Sequence, residues 1–357
     1  MAAPVVRVPV SGGSAGTTPQ VRREPRRAVH GVLLLDKPRG LSSNDALQRA
    51  RRALGAQKAG HTGTLDPLAS GLLPICFGAA TKFSQASLDA DKRYRATLHL
   101  GVTTTTADGE GDVVQRRPVD ASRARIDAVC RRFVGAFDQM PPMHSALKKD
   151  GKALYEYARA GIDVERAPRR VTVYAVTVVG LDGDQLTLDV HCTKGTYIRT
   201  LAADIGEGLG CGAYLSALRR TGSGPLEVAD AIGLEALQAL PQAARDARVL
   251  PPDVLLQALP AVHLSAEEAA RFLTGLRRRV AMPDAPAVRV YGPEPGALPG
   301  NAGPTQVSWR PHGGPCRACP DLGGFLGSAH VTAGELIPDR LLSPTEVAAL
   351  VCRRDPS

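Results

Sequence analysis

Long apolar runs are missing from this 357-residue chain: the longest near-apolar stretch, Leu72 to Ala80, falls far short of a membrane span of about 20 residues. Arg7 and Pro9 interrupt the valines near the start, so no signal-peptide core is expected there and the default compartment is the cytoplasm. A cysteine framework is missing too. Seven cysteines, an odd number, are scattered along the chain and read as free thiols in a reducing compartment. The one close pair, Cys316-Arg-Ala-Cys319, has the spacing of half a zinc knuckle. A structural site needs about four ligands; no second pair exists, and only His312, His330 and Cys352 could help, so zinc is not expected. No Walker-type phosphate loop and no HExxH pair occurs. Gly206-Glu-Gly208-Leu-Gly210-Cys-Gly212 lacks the third glycine at dinucleotide spacing and closes a helix instead of opening one. Asp108-Gly-Glu110-Gly-Asp112 has the outline of a calcium loop, but Val113 stands where the loop needs glycine, so a mobile acidic turn is the reading. No redox cofactor and no obligatory metal is therefore expected.

What is present is positive charge. The formal net charge is +9, with hydrophobic residues at 43% and charged residues at 22%, the balance of a globular protein with a polyanionic partner. Residues 1–29 are rich in Pro, Gly, Ser, Thr and Arg without apolar periodicity and are expected to form a disordered basic tail. Order is expected from Gly31-Val-Leu-Leu-Leu-Asp36, a buried strand, followed by a helix capped by Ser42 or Ser43. Tyr94, Ala96, Leu98 and Leu100 alternate with polar residues as in a half-buried strand. Ile126, Val129, Cys130, Phe133 and Val134 have helical spacing behind Asp120 or Ser122. Val171–Val179 and Gln185–Cys192 read as strands joined by a turn at Asp182-Gly183. Lys194-Gly195 then leads into a helix with the stripe Ile198, Leu201, Ala202, Ile205 and Leu209. Strands and helices mixed without regular alternation predict an α+β fold with a mainly antiparallel sheet. A boundary falls near Pro251–Pro260, followed by a helix with the capping box Ser265 and Glu268. Residues 281–322, dense in Pro and Gly, are expected to be a long irregular insertion in a small β-rich C-terminal domain spanning about 260–350.

The stretch Ala59-Gly-His-Thr-Gly-Thr-Leu-Asp-Pro-Leu-Ala-Ser-Gly-Leu-Leu-Pro74 is the least ordinary. Glycines permit tight backbone, and Pro67 fixes the chain just after a lone carboxylate, Asp66, set among leucines. One reading is a turn in which Asp66 bonds local amides. The other is a reactive acid, which needs something to keep it ionised, because desolvation can raise a carboxyl pKa by about 3 units. Arg199, one position off the apolar stripe of its helix, could do this without losing its own proton; its plain alternative is a solvated helix-face arginine. The tyrosines lie among cations: Tyr94 in Asp91-Lys-Arg-Tyr-Arg95, Tyr197 between Lys194 and Arg199, Tyr155 and Tyr157 between Lys152 and Arg159. Aromatics interleaved with cations suit an RNA whose bases are splayed out and stacked.

At these residues the sequence resembles the bacterial TruB family, tRNA pseudouridine synthases acting on the T-loop uridine at position 55. The resemblance runs in order through Gly31-Val-Leu-Leu-Leu-Asp-Lys-Pro38, Ser42-Ser-Asn-Asp45, Gly60-His-Thr-Gly-Thr-Leu-Asp-Pro67, Thr81-Lys-Phe83 and Asp91-Lys-Arg-Tyr94. It continues through Ser145-Ala-Leu-Lys148, Leu154-Tyr-Glu-Tyr157, Cys192-Thr-Lys-Gly-Thr-Tyr-Ile-Arg199 and Leu218-Arg-Arg220. It implies a pseudouridine synthase domain over about 30–255, with a thumb-like insertion near 138–165, and a PUA-like RNA-binding domain after it. It implies that Asp66 attacks a flipped uridine, that Tyr94 stacks on the base, that Tyr197 and Leu218 line the pocket, and that Arg199 pairs with the aspartate. His61 is expected to enter the loop stack, and Lys37 and Lys148 to contact the RNA. The implied partner is the tRNA T-arm, met by a monomer without an obligatory protein partner or cofactor. A tRNA-folding chaperone acting independently of catalysis is the alternative function, and a hydrolase using Asp66 a third. His144 stands where the family often has tyrosine, and the Pro/Gly-rich insertion with its cysteine pair departs from the family pattern.

Overall fold

The computed structural model describes residues 25–145, 147–293, 306–308 and 324–351. The basic tail before residue 25, most of the Pro/Gly-rich insertion and the Cys316/Cys319 pair lie outside the described residues.

Ten strands form one mixed sheet. Eight lie on a continuous path: Ile232–Gly233, Gly31–Lys37, Ala69–Phe77, Ala213–Ser223, Lys92–Leu100, Gln185–Cys192, Arg169–Asp182 and Gly135–Gln139. Ala59–His61 pairs with Ala69–Phe77, and Leu226–Glu227 with the end of Ala213–Ser223. Pairing is antiparallel apart from Gly31–Lys37 with Ile232–Gly233 and Ala213–Ser223 with Ala69–Phe77. The architecture is the α+β arrangement that the mixture of periods predicts.

The continuous apolar run of Gly31–Lys37 has a physical cause, because both faces are covered. Leu33 and Leu35 pack with the Ser43–Ala53 helix, whereas Val32 and Leu34 pack with Leu255, Tyr291 and Phe325 from the C-terminal part. Period-two alternation in Lys92–Leu100 puts Ala96, Leu98 and Leu100 under the helices Arg123–Arg132 and Ile198–Leu209. The same face carries Lys92 and Tyr94 at the other end of the strand. Ser42 and Ser122 cap their helices through their side chains. Ser43 does something else: buried, its hydroxyl accepts from Leu65 N at 2.7 Å and donates to Leu65 O at 2.9 Å. The first helix is thereby tied to the loop that carries Asp66.

Three expectations need correction. Order begins before Gly31: Arg27 N donates to Gly55 O and its guanidinium pairs with Asp246, while Val29 is buried. Val134 lies beyond its helix, which ends at Arg132, and is exposed. The irregular insertion does not start at 281, because Ala285–Tyr291 is an inner strand of a second, six-stranded sheet. Its order is Arg278–Arg279, Glu335–Leu341, Phe325–Thr332, Ala285–Tyr291, Ala261–His263 and Gln306–Ser308. Local Pro density hid the alternation of the buried Val288 and Val290. The expected capping box at Ser265 and Glu268 forms.

The two sheets share one core. Val254, Leu255 and Leu256 in the short Pro252–Leu256 turn of helix are buried between them, and Tyr291 Oη donates to Asp253 Oδ2 at 2.8 Å. Lys82 adds a polar latch, donating to Leu341 O at 3.0 Å and Glu346 Oε2 at 2.6 Å. Among the described residues, no helix is long and apolar enough to cross a membrane.

Candidate active site

The Asp66 loop is held from several sides. Thr62 N donates to Pro74 O and Gly40 N to Pro67 O, while the buried Thr62 hydroxyl accepts from Ser87 Oγ. Gly63 adopts φ +103°, where a side chain would be strained. The backbone carbonyl of Asp66 accepts from Ala69 N, closing a turn. The carboxylate does not stay in that turn. It reaches Arg199, whose Nη2 lies 3.0 Å from Asp66 Oδ2.

Arg199 sits in the first turn of Ile198–Leu209, buried, and its guanidinium is surrounded by three oxygens. Besides Asp66, Nη2 donates to His144 O at 2.6 Å, and Nη1 lies 3.5 Å from Asp108 Oδ2. Asp108 is buried and held by Thr106 Oγ1 and Glu110 N. The acidic segment read as a mobile turn therefore carries the second carboxylate of an Asp66–Arg199–Asp108 line. Burial raises the Asp66 carboxyl above the ordinary carboxylate value; Arg199 pulls it down, Asp108 pushes it up and Lys37 adds a smaller downward pull. Burial wins, so Arg199 offsets the desolvation of Asp66 only in part. Two fifths of the Asp66 side chain (40%) remains open to the cleft, and water there moderates the rise.

The cleft encloses about 680 Å³ and includes Asp66, Tyr94, His144, Tyr197, Leu218 and Arg220 in its lining. Cross-strand register brings them together: Leu218 stands opposite Ala96 and Ala69, and Arg220 opposite Tyr94 and Gly71. Tyr197 precedes its helix and is fixed by Gln139, whose amide accepts from Tyr197 N at 2.8 Å and donates to Tyr197 O at 3.1 Å. Burial raises the phenols of Tyr94 and Tyr197 above their ordinary value. Lys92, another lining residue, donates to the carbonyls of Ser87, Leu88 and Ala90, and burial, with Arg220 beside it, lowers its ammonium to about 8.

Asp66, Tyr94, Tyr197, Arg199 and Leu218 thus converge, although they come from four separate parts of the chain. Three other expected residues do not join them. Lys37 is fully buried and donates to Pro38 O and Leu41 O, so the reading of it as an RNA contact is corrected; burial lowers it to about 8. Lys148 is exposed in a small hairpin with Lys152–Ala153, outside the cleft lining. His61 is half-buried on its short strand with Nδ1 unpartnered, and burial and then Arg220 lower its imidazole below the ordinary value. Asp108, Arg220, Lys92 and Gln139 had no assigned role in the sequence reading; Asp108 at the start of an acidic, glycine-spaced segment and Arg220 at the end of a quoted motif were the available signals. Among the described residues, no three His, Cys, Asp or Glu side chains converge as metal ligands would.

Solved structures share the fold. "Crystal Structure of a Cbf5-Nop10-Gar1 Complex" matches with a TM-score of 0.59 and 28% identity over 78% of this chain and 81% of that one. A structure of an H/ACA RNP bound to a substrate RNA, 22% identical, matches at 0.62 over 93% of each chain, so its fold likeness extends over most of both. Residues 51–198 match the model of the TruB family pseudouridylate synthase N-terminal domain, and residues 199–259 that of the tRNA pseudouridylate synthase B C-terminal domain. The class defined by this fold and cleft is the pseudouridylate synthases. The chain is 60% identical over 280 residues to tRNA pseudouridine synthase B of Ralstonia pickettii, covering 77% of this chain and 88% of that protein. It is 53% identical over 336 residues to tRNA pseudouridine synthase B of Verminephrobacter eiseniae, covering 92% and 93%. This chain belongs to the TruB family of tRNA pseudouridine synthases.

Proposed function

We propose that this protein isomerises the T-loop uridine at position 55 of tRNA to pseudouridine, with Asp66 as the reacting carboxylate. The observation that carries this reading is a carboxylate ion-paired on one side to Arg199 and open on the other to a cleft containing Tyr94 and Leu218. A uridine inside a folded loop must be extruded to reach it, at a cost of a few kcal/mol that stacking on Tyr94 offsets. Isomerisation consumes no electrons and no group donor. On the ribose route, an Asp66 oxygen bonds the anomeric carbon, the N1 glycosidic bond breaks and its electron pair stays on uracil. The base then turns and rejoins through carbon five as the bond to Asp66 breaks, returning the carboxylate; carbon five loses its hydrogen as a proton and N1 takes one up. Attack on the base at carbon six is the other route open to the same nucleophile. In either case Arg199 and Asp108 fix where the attacking oxygen lies. Tyr197 lines the pocket, and Leu218 gives the base an apolar contact.

The partner in this reading is the T-arm stem-loop, bound by a monomer in the cytoplasm. His61 enters the loop stack, and the exposed Lys148 and Lys152, outside the cleft, grip phosphates. Those lysines also favour a second role, tRNA folding independent of the chemistry, because they do not depend on Asp66. The test is Asp66→Asn in cells lacking the wild-type protein, with pseudouridine mapped in tRNA and annealing measured on purified tRNA. No pseudouridine at position 55, with annealing preserved, is the expected outcome. Full modification by the variant refutes the assignment of Asp66.

A further inference from the structure

The helix Ile198–Leu209, which carries Arg199, begins without the devices that usually hold a helix start in place. Tyr197 precedes it in an extended conformation, its side chain makes no cap hydrogen bond, and the first turn holds no acid. Arg199 in that turn sets a cation at the positive end of the helix dipole, which by itself is unfavourable. The grip comes from another part of the chain. Gln139 is buried, 2% exposed, and its amide makes both of its bonds to one residue: Nε2 donates to Tyr197 O at 3.1 Å and Oε1 accepts from Tyr197 N at 2.8 Å. One backbone group can only donate and the other only accept, so the amide has a single orientation. Tyr197 O also accepts from Leu201 N, so Gln139 braces the first hydrogen bond of the helix.

Gln139 is a firm post, because its own backbone ends the strand Gly135–Gln139 and pairs with Arg169 in the large sheet. Further along, the same segment grips the helix a second time: His144 O accepts from Arg199 Nη2 at 2.6 Å, the nitrogen that also lies 3.0 Å from Asp66 Oδ2. Between the two grips stand Pro141 and Pro142, whose fixed φ leaves the spacer little freedom, and Pro141 O accepts from Arg166 Nη1 at 3.1 Å. We propose that Gln139 is a positioning residue for the reaction: together with His144 O it forms a clasp around the start of this helix that aims the Arg199 guanidinium at Asp66. Gln139 lies outside the cleft lining and acts only through Tyr197 and Arg199. The charged groups that act on Asp66 are Arg199, Asp108 and Lys37, and of these only Arg199 hangs from the clasped segment. A loosened clasp leaves its charge in place and spoils its aim, so its downward pull on the Asp66 carboxyl weakens.

This inference rests on the reading of Asp66 as the reacting carboxylate. The experiment is Gln139→Met, which keeps the length of the side chain and removes both bonds. Single-turnover pseudouridine formation on a T-arm stem-loop is followed across the acidic limb of the pH–rate profile, with the protein in saturating excess, so that the rate constant does not depend on how much of it is folded. The rate constant is expected to fall about three- to tenfold, one hydrogen bond's worth, with affinity changed less than about threefold. The acidic limb should move up by about half a unit, about threefold in rate along that limb, less than removal of the guanidinium would give. A limb at its wild-type position, or a loss residing in affinity alone, overturns the proposal, because a merely structural glutamine would lower the folded fraction and leave the limb where it is. Should Gln139→Met fail to fold, Pro142→Gly decides in its place. It keeps Gln139 and frees the half-buried spacer between the two grips; an upward shift of the limb supports the clasp and a wild-type limb overturns it. Absence of pseudouridine formation by the wild-type protein would instead sink the underlying reading.

Discussion

Arg199→Met removes the guanidinium 3.0 Å from Asp66 and leaves a side chain of similar length. Two unit charges at that separation interact by about 1.4 kcal/mol in bulk water and about 5.5 kcal/mol at an effective dielectric of 20. With 40% of the Asp66 side chain open to the cleft, screening places the interaction toward the lower end, about 1.5–3 kcal/mol. That equals about one to two pH units of carboxyl acidity. Burial already holds Asp66 above its ordinary value, so losing Arg199 moves it further in the same direction. The acidic limb of the single-turnover pH–rate profile should therefore rise by about one to two units. Turnover at neutral pH should fall, with part recovered as the pH is raised. The same change strands Asp108, a buried carboxylate, at a cost of about 3 kcal/mol in stability. Pairing it with Asp108→Asn should restore most of that stability and bring the acidic limb only part of the way back, because Asp108 itself pushes Asp66 up. An acidic limb at its wild-type position in a folded Arg199→Met protein would refute the role given to the guanidinium.

Tyr94→Ala should lose far more turnover than Tyr94→Phe, because the ring supplies the stacking surface and is worth about 1–3 kcal/mol per base; equal losses would show that the hydroxyl dominates. Gly71→Ala should destabilise the fold by about 3 kcal/mol or more, because φ is +101° and the new Cβ would meet Arg220 O at 2.3 Å; a wild-type unfolding midpoint would contradict this geometry. Asp66→Asn should melt at or above the wild-type temperature at pH 7. A carboxyl raised above its ordinary 3.8 binds more protons folded than unfolded, so stability falls as pH climbs from there through the raised value; a lower midpoint would reverse the sign. Burial lowers Lys37 and Lys92 from 10.5 to about 8, so the folded state binds fewer protons between those values and their contribution to stability rises across that window. Denaturant melts of Lys92→Met against wild type between pH 8 and 10.5 should show a shallower rise in the variant.

Local pattern was enough for much of this molecule. Alternation placed Tyr94 on a strand, helical spacing placed Arg199 near the start of Ile198–Leu209, and Ser42, Ser122 and Ser265 marked helix starts, because caps and periods are properties of a few neighbouring residues. The glycines and proline around Asp66 likewise announced an unusual backbone before any packing was known. Which side chains share a cleft is a different kind of fact. Arg220 faces Tyr94 because two strands more than a hundred residues apart pair in one register, and a slip of one position would turn it to the opposite face. Asp108 meets Arg199 because its segment bridges to Leu215, which no local signal specifies. Lys37 was expected to contact the RNA until two carbonyls enclosed it, and Ala285–Tyr291 looked like irregular chain until its neighbours in the second sheet were in place. The sequence by itself determined many of the elements and the kind of chemistry available. The tertiary structure decided which charges are buried together, since desolvation and register exist only once distant segments meet.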